Sequence, residues 1–335
     1  VLATTLTRAE LERFFLDEYR PTAIMDPWNN GSGFYPKDNS RGMDLLLGSS
    51  DPRLEKLKVD LLWARCLVGS RMESPSDKAK AEMQGECFAV LRGSTLDAVR
   101  AALVLNPIVG KRENKPDYPF LLGTGWNDGR LDFSNNFHQR LAELFGYARK
   151  PEKDEAKNKA ALEASRQIAL THLQQSLWIN IALGLNKSAI GQYLPGAAGG
   201  ANSTNGPDGN SLVNPWDFVL MLEGSILFAS SATKRTNPQS QCQASAPFAL
   251  RNQAAGGAAL SDREESARGE QWMPLWNRFL TCPELQSLLA EGRVQVGRSH
   301  ASRPVDMARS IARLGVARGI TSFQRFGYLE RNGQA

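Results

Sequence analysis

Apolar residues recur at three- and four-residue intervals along most of this chain, a spacing that predicts helices rather than strands. Thr7-Arg8-Ala9-Glu10 is a capping box, so a helix starts there and runs to about Tyr19, where Pro21 stops it. Asp51 and Pro52 form the next start signal, and Leu54, Leu57, Leu61 and Leu62 mark one stripe of a helix ending near Gly69. Residues 70–80 are polar and read as a linker before a helix to Leu91. Ser94 and Asp97 open a short helix carrying Leu96, Val99 and Leu103, which Asn106-Pro107 ends. Residues 111–117 are charged and contain a proline, which predicts an exposed loop. The longest helical pattern covers 152–184, with Leu170, Leu173, Leu177 and Ile181 on its core stripe. Asn214-Pro215-Trp216-Asp217 starts a helix to Ala229 that is apolar nearly all round and belongs inside a core. Pro283 and Pro304 start two more helices. On the second, Met307, Ile311 and Leu314 share one face and Arg309 and Arg313 lie opposite. Residues 320–329 read as a strand with Phe323, Arg325 and Phe326, and 231–269 are weakly patterned. The expected fold class is mainly α with minor β (α+β), an irregular multi-helix architecture with long Gly/Asn-rich loops. A length of 335 residues suggests two regions: 1–150 with the loops, and 151–335, helical with an arginine-rich end. The start at Val1 and the stop just after a strand make a fragment of a longer chain the expectation.

Three segments cannot be regular. In Pro27-Trp28-Asn29-Asn30-Gly31-Ser32-Gly33-Phe34-Tyr35-Pro36-Lys37-Asp38-Asn39 two prolines and two glycines interrupt any ladder. Trp28, Phe34 and Tyr35 should pin this loop by ring burial, leaving Asn29, Asn30 and Lys37 at its tip; a purely structural loop is the competing reading. Gly123-Thr124-Gly125-Trp126-Asn127-Asp128-Gly129-Arg130 and the following Asp132-Phe133-Ser134-Asn135-Asn136-Phe137 form a second glycine/asparagine turn with an aromatic and a cation. Its third glycine falls one residue late for a dinucleotide fingerprint, and no Gly-Lys-Ser/Thr follows, so a nucleotide site is rejected. Residues 193–210, rich in Gly, Asn, Ser and Pro, form a third long loop.

Composition adds a bias in charge. Hydrophobic content of 41% with 8% aromatics describes an ordinary core, while net charge is +5 and pI near 9. From Gly292 onward there are eight arginines, no lysine and only two acids, Asp306 and Glu330, a local surplus larger than that of the whole chain. Guanidinium groups contact phosphate bidentately, so Arg298, Arg303, Arg309, Arg313, Arg318 and Arg325 are candidate backbone contacts, against the plainer reading of a solvated basic face. No apolar run approaches the roughly 20 residues of a membrane span. Cys66, Cys87, Cys242 and Cys282 form no C-x-x-C pair and are expected as buried thiols in a reducing cytoplasm.

Catalysis has little to stand on. Of His138, His172 and His300, only His138 is placed to act as a base, and no hydrolase or zinc signature is present. Asp26, Asp38, Asp128 and Asp132 could gather around Mg²⁺ as in a nuclease, but Asx side chains in turns more often bond local backbone. The expectation is a non-enzymatic protein without cofactor or metal. Amides can read base edges, rings can stack on bases and arginines can hold phosphates. The candidate nucleic-acid-binding set is therefore Trp28, Asn29, Asn30, Lys37, Asn127, Arg130, Asn135 and Asn136 with the six arginines.

The segments Pro27 to Asp38, Asn127 to Phe137, Asn214-Pro215-Trp216-Asp217-Phe218-Val219-Leu220-Met221-Leu222-Glu223-Gly224 and Gly327-Tyr328-Leu329-Glu330-Arg331-Asn332-Gly333 resemble the large subunit of the type I-G (formerly I-U) CRISPR Cascade complex, in order and spacing. The resemblance implies a non-catalytic, cytoplasmic role in prokaryotic antiviral defence. It implies reading of a protospacer-adjacent motif, stabilisation of the R-loop and recruitment of a helicase-nuclease. The implied partners are guide RNA, target double-stranded DNA and the backbone and 5′-handle-binding subunits, with no membrane. Guide pairing supplies most of the sequence specificity in such complexes. The resemblance does not say which residues read the motif.

Overall fold

The computed structural model describes residues 6–102, 104–107, 114–117, 133–149, 154–178, 186–188, 211–227, 231–233, 243–245, 248–251, 269–290, 295–296, 299–300, 304–314 and 320–327. The chain is mainly α with minor β. It divides into two compact units: Thr5–Val99 with Trp126–Ile226, and Val1–Thr4 with Arg100–Gly125 and Leu227–Ala335.

The first unit opens on α1 (Arg8–Arg13), where the capping box is formed: Glu10 N–H donates to Thr7 Oγ1 (3.3 Å) and Thr7 N–H donates to Glu10 Oε2 (2.7 Å). One π-helical turn, Phe14–Glu18, extends it. Then follow α2 (Arg41–Gly48), a 3₁₀ turn at Pro52–Leu54, α3 (Glu55–Val68), α4 (Asp77–Val90), α5 (Gly93–Ala102), α6 (Phe133–Leu144), α7 (Glu155–Trp178) and α8 (Pro215–Leu227). α6 and α7, on either side of residue 150, pack on each other within this unit. Trp28, Trp216, Phe137, Phe218, Met43, Leu46, Leu54, Leu57, Leu61, Leu141 and Leu173 are fully buried and form the core. Truncating such a tryptophan to alanine typically costs about 3–5 kcal/mol. Phe15 and Tyr19 pack edgewise and tilted on Trp216, with centroids at 5.5 and 5.8 Å, and Tyr19 Oη and Thr22 N–H both donate to Glu223, each at 2.7 Å. The apolar α8 is thus held in the core, as its pattern requires.

Two elements depart from the pattern. α2 arises where no helix is expected, and it approaches α6 through Gly42, where a Cβ would lie 2.6 Å from the Gln139 nitrogen. α6 begins at Phe133, so Asn135, Asn136 and His138 belong to a helix rather than a glycine/asparagine loop.

The described residues of the second unit include two helices, Cys282–Ala290 and Pro304–Leu314, and several short strands. Val104–Pro107 pairs antiparallel with Asn114–Asp117, so part of the exposed loop expected at 111–117 is a strand. An antiparallel sheet has the order Ile320–Gly327, Gly269–Trp276, Ala249–Arg251. Pro274 is tolerated in the middle strand because Ala249–Arg251 pairs only with Gly269, Glu270 and Gln271, leaving one edge open at the proline among the described residues. Phe248, Leu288, Leu289, Met307 and Ile320 form its core, drawing on helices Cys282–Ala290 and Pro304–Leu314, with Trp272 and Phe323 packed against it. Cys87 is buried, and burial pushes its thiol up to about 12; Cys66 and Cys282 are exposed, which corrects the expectation of buried thiols at those two positions.

Candidate nucleic-acid interface

The loop at 26–39 is built around one carboxylate. Gly31 and Gly33 adopt φ of 83° and 91°, which turns their N–H groups inward. Asp38 accepts from both, Oδ1 from Gly31 at 2.8 Å and Oδ2 from Gly33 at 2.9 Å, and Oδ2 also accepts from Tyr35 N–H at 3.2 Å. Tyr35 Oη donates to the Pro27 carbonyl at 2.7 Å and closes the base of the loop. Burial raises this phenol to about 12. Asp26 is buried, accepts from Asn29 Nδ2 at 3.3 Å, and lies with the Ser32 carbonyl within reach of the Ser134 hydroxyl of α6. Local donors therefore occupy both carboxylates that this loop could offer to a metal. Among the described residues no group of three His, Cys, Asp or Glu side chains is arranged to hold a metal ion.

This geometry corrects the reading of the loop as a ring-pinned tip with free amides. The rings are buried as expected, Trp28 fully so, and Trp28 is thereby removed as a stacking surface. Asn29 is buried as well. Asn30 is exposed but its Oδ1 accepts from Ser74 N–H at 2.5 Å, and the exposed Lys37 is ion-paired with Glu73. The tip is tied to the linker between α3 and α4. On α6, Asn135 is buried and accepts from Gln139 Nε2 at 2.8 Å, and Asn136 is half-buried. The two sequence segments do meet, since a Cβ on Gly33 would lie 3.8 Å from Asn135 Cβ, but they meet as core. His138 is sealed inside: neither ring nitrogen has a hydrogen-bond partner, and burial, with the Arg65 charge nearby, pushes the imidazole down to about 3. It is corrected from candidate base to packed residue, because a base needs contact with the proton it removes.

In the second unit, Arg309 is exposed on helix Pro304–Leu314, 3.7 Å from Asp306, while Met307 of the same helix is fully buried. Arg313 lies four residues further along that helix. Arg325 is exposed, with its guanidinium 5.8 Å from the centre of the Trp272 ring. Asn127, Arg130, Arg298, Arg303, Arg318, Asp128, Asp132 and the loop at 193–210 lie outside the described residues. Sequence reasoning passed over Trp276, Arg278 and Phe279, all exposed; the signal was the alternation of ring and cation in Trp276-Asn277-Arg278-Phe279. Among the described residues no helix is long and apolar enough to cross a membrane.

No protein-family model matches this chain, and a search of curated proteins gives no match.

Proposed function

We propose that this chain is a non-catalytic nucleic-acid-binding protein, the large subunit of a type I-G CRISPR interference complex in the cytoplasm. In this reading it recognises the protospacer-adjacent motif on target DNA, stabilises the R-loop beside the guide RNA, meets backbone and 5′-handle-binding subunits, and helps recruit the helicase-nuclease. The observation that carries the reading is Arg309, held exposed by a helix whose Met307 is buried, inside a segment of eight arginines and two acids. Such a segment gains affinity by releasing counterions from phosphates. Burial of Trp28, Asn29 and Asn135 gives three of the four resembling segments a different task. Residues 27–38, 133–137 and 214–224 of those segments contribute to the core of the first unit, and the grip on nucleic acid falls to cations elsewhere.

The same burial favours a second reading, a scaffold whose surfaces meet only protein neighbours. Titration of target DNA across a salt series separates the two: nucleic-acid binding gives a steep negative slope, which a scaffold lacks. A metal-dependent nuclease is tested by incubating the chain with labelled DNA and Mg²⁺; cutting that disappears in Asp128→Ala would overturn the non-catalytic reading.

A further inference from the structure

Among the described residues of the second unit, three of the four exposed large hydrophobic side chains lie close together in sequence, Val305 being the fourth. At and just beyond the end of strand Gly269–Trp276, Leu275 is 48% exposed, Trp276 37% and Phe279 67%. Arg278 lies between the two rings in sequence, is exposed, and makes no ion pair among the described residues. Glu284 is near enough to feel its charge, but that carboxylate accepts from the Thr281 N–H and hydroxyl, each at 2.7 Å, as the cap of helix Cys282–Ala290. The segment is fixed at both ends while its side chains point outward. Trp276 sits opposite Ile320, which is buried in the core; Thr321 Oγ1 donates to the Leu275 carbonyl at 3.2 Å; and the capped helix begins at Cys282. Beside it on the neighbouring strand, Thr321, Ser322 and Gln324 are exposed polar residues.

Two exposed rings with an exposed guanidinium between them in sequence suit the repeat of unpaired nucleotides, in which each flat base is followed by a phosphate. Paired bases are already stacked on each other and offer no free face. We propose that Trp276 and Phe279, with Arg278 between them, form a stacking site for a single-stranded nucleic acid. This rests on the nucleic-acid reading above and adds the strand form held and the residues that hold it.

The test measures binding of the full chain to a labelled oligothymidylate and to a mixed-sequence duplex. Trp276→Ala with Phe279→Ala is expected to lower affinity for the single strand by about tenfold to a hundredfold, with the duplex affected far less. Phe279→Tyr should keep single-strand affinity and Phe279→Leu should lose it, a contrast that a mere fold defect or an apolar contact would not produce. Arg278→Ala should flatten the single-strand salt slope by about 0.7. Unchanged affinity in the double variant, or full affinity in Phe279→Leu, overturns the stacking site and leaves the nucleic-acid reading standing. Wild-type chain that binds neither probe overturns that reading. A double variant that binds both probes normally but changes its oligomeric state assigns the patch to protein contact and overturns the proposal.

Discussion

The Asp38 carboxylate accepts three backbone N–H groups that the glycine-bearing turn would otherwise leave without partners. Its removal strands those donors in a loop whose rings are buried, so Asp38→Ala should lower stability by about 2 kcal/mol. Asp38→Asn should cost less, because one acceptor oxygen remains. A denaturant midpoint equal to wild type in Asp38→Ala would contradict this role. His138 makes a separate prediction. Its folded value near 3 lies below the ordinary 6.5, so the unfolded chain takes up the proton first as pH falls. Stability is complete above pH 6.5 and declines below it, by about 2 kcal/mol at pH 5. Asp51 and Asp17, whose arginine partners hold them below the usual carboxylate range, begin to contribute only at lower pH. Melting curves at pH 7 and pH 5 should therefore differ strongly in the native chain and much less in His138→Leu. An equal loss in both would place the acid sensitivity elsewhere. The Asp38 role was within reach of the sequence, since Asx residues bond local turns. The buried His138 was not, because nothing local marks which helix will cover it.

At the scale of elements, the contact between α2 and α6 depends on the absence of one side chain. A Cβ on Gly42 would lie 2.6 and 2.7 Å from backbone atoms of Gln139, which no rotamer change can relieve. Gly42→Ala should cost about 1–3 kcal/mol by forcing the helices apart. Gly85, inside α4, meets nothing within 4 Å, and Gly85→Ala should add about 1 kcal/mol through helix propensity. Thermal melts of the pair should move in opposite directions; a stable Gly42→Ala would refute the close approach. Helices with start signals and stripes, such as α1, α3 and α8, were legible. α6 was hidden by Asn135 and Asn136, whose turn preference outweighed the spacing of Phe133, Phe137, Leu141 and Leu144 along one face. The strand Gly269–Trp276 was hidden by Pro274, acceptable only because its neighbour strand ends early, a tertiary fact that no local pattern carries.

For the whole molecule, the two compact units are assembled from interleaved stretches, since which segments pack together is decided by long-range contacts. The candidate interface was legible in part. The arginine surplus, the face bearing Arg309 and the burial of the Trp28 ring were readable from charge, helical spacing and loop composition, whereas the burial of Asn29 and Asn135 required the packing of α6 on the first loop. Lys37, already paired with Glu73 on the surface, should contribute less to phosphate binding than the arginines. The most direct measurement is the slope of log affinity against log salt for duplex target DNA, in the native chain and in Arg309→Ala with Arg313→Ala. The account predicts a steep slope that becomes shallower by about 1–2 in the variant, with the fold intact. A native chain whose DNA affinity is absent or indifferent to salt, or a variant with the native slope, would contradict it.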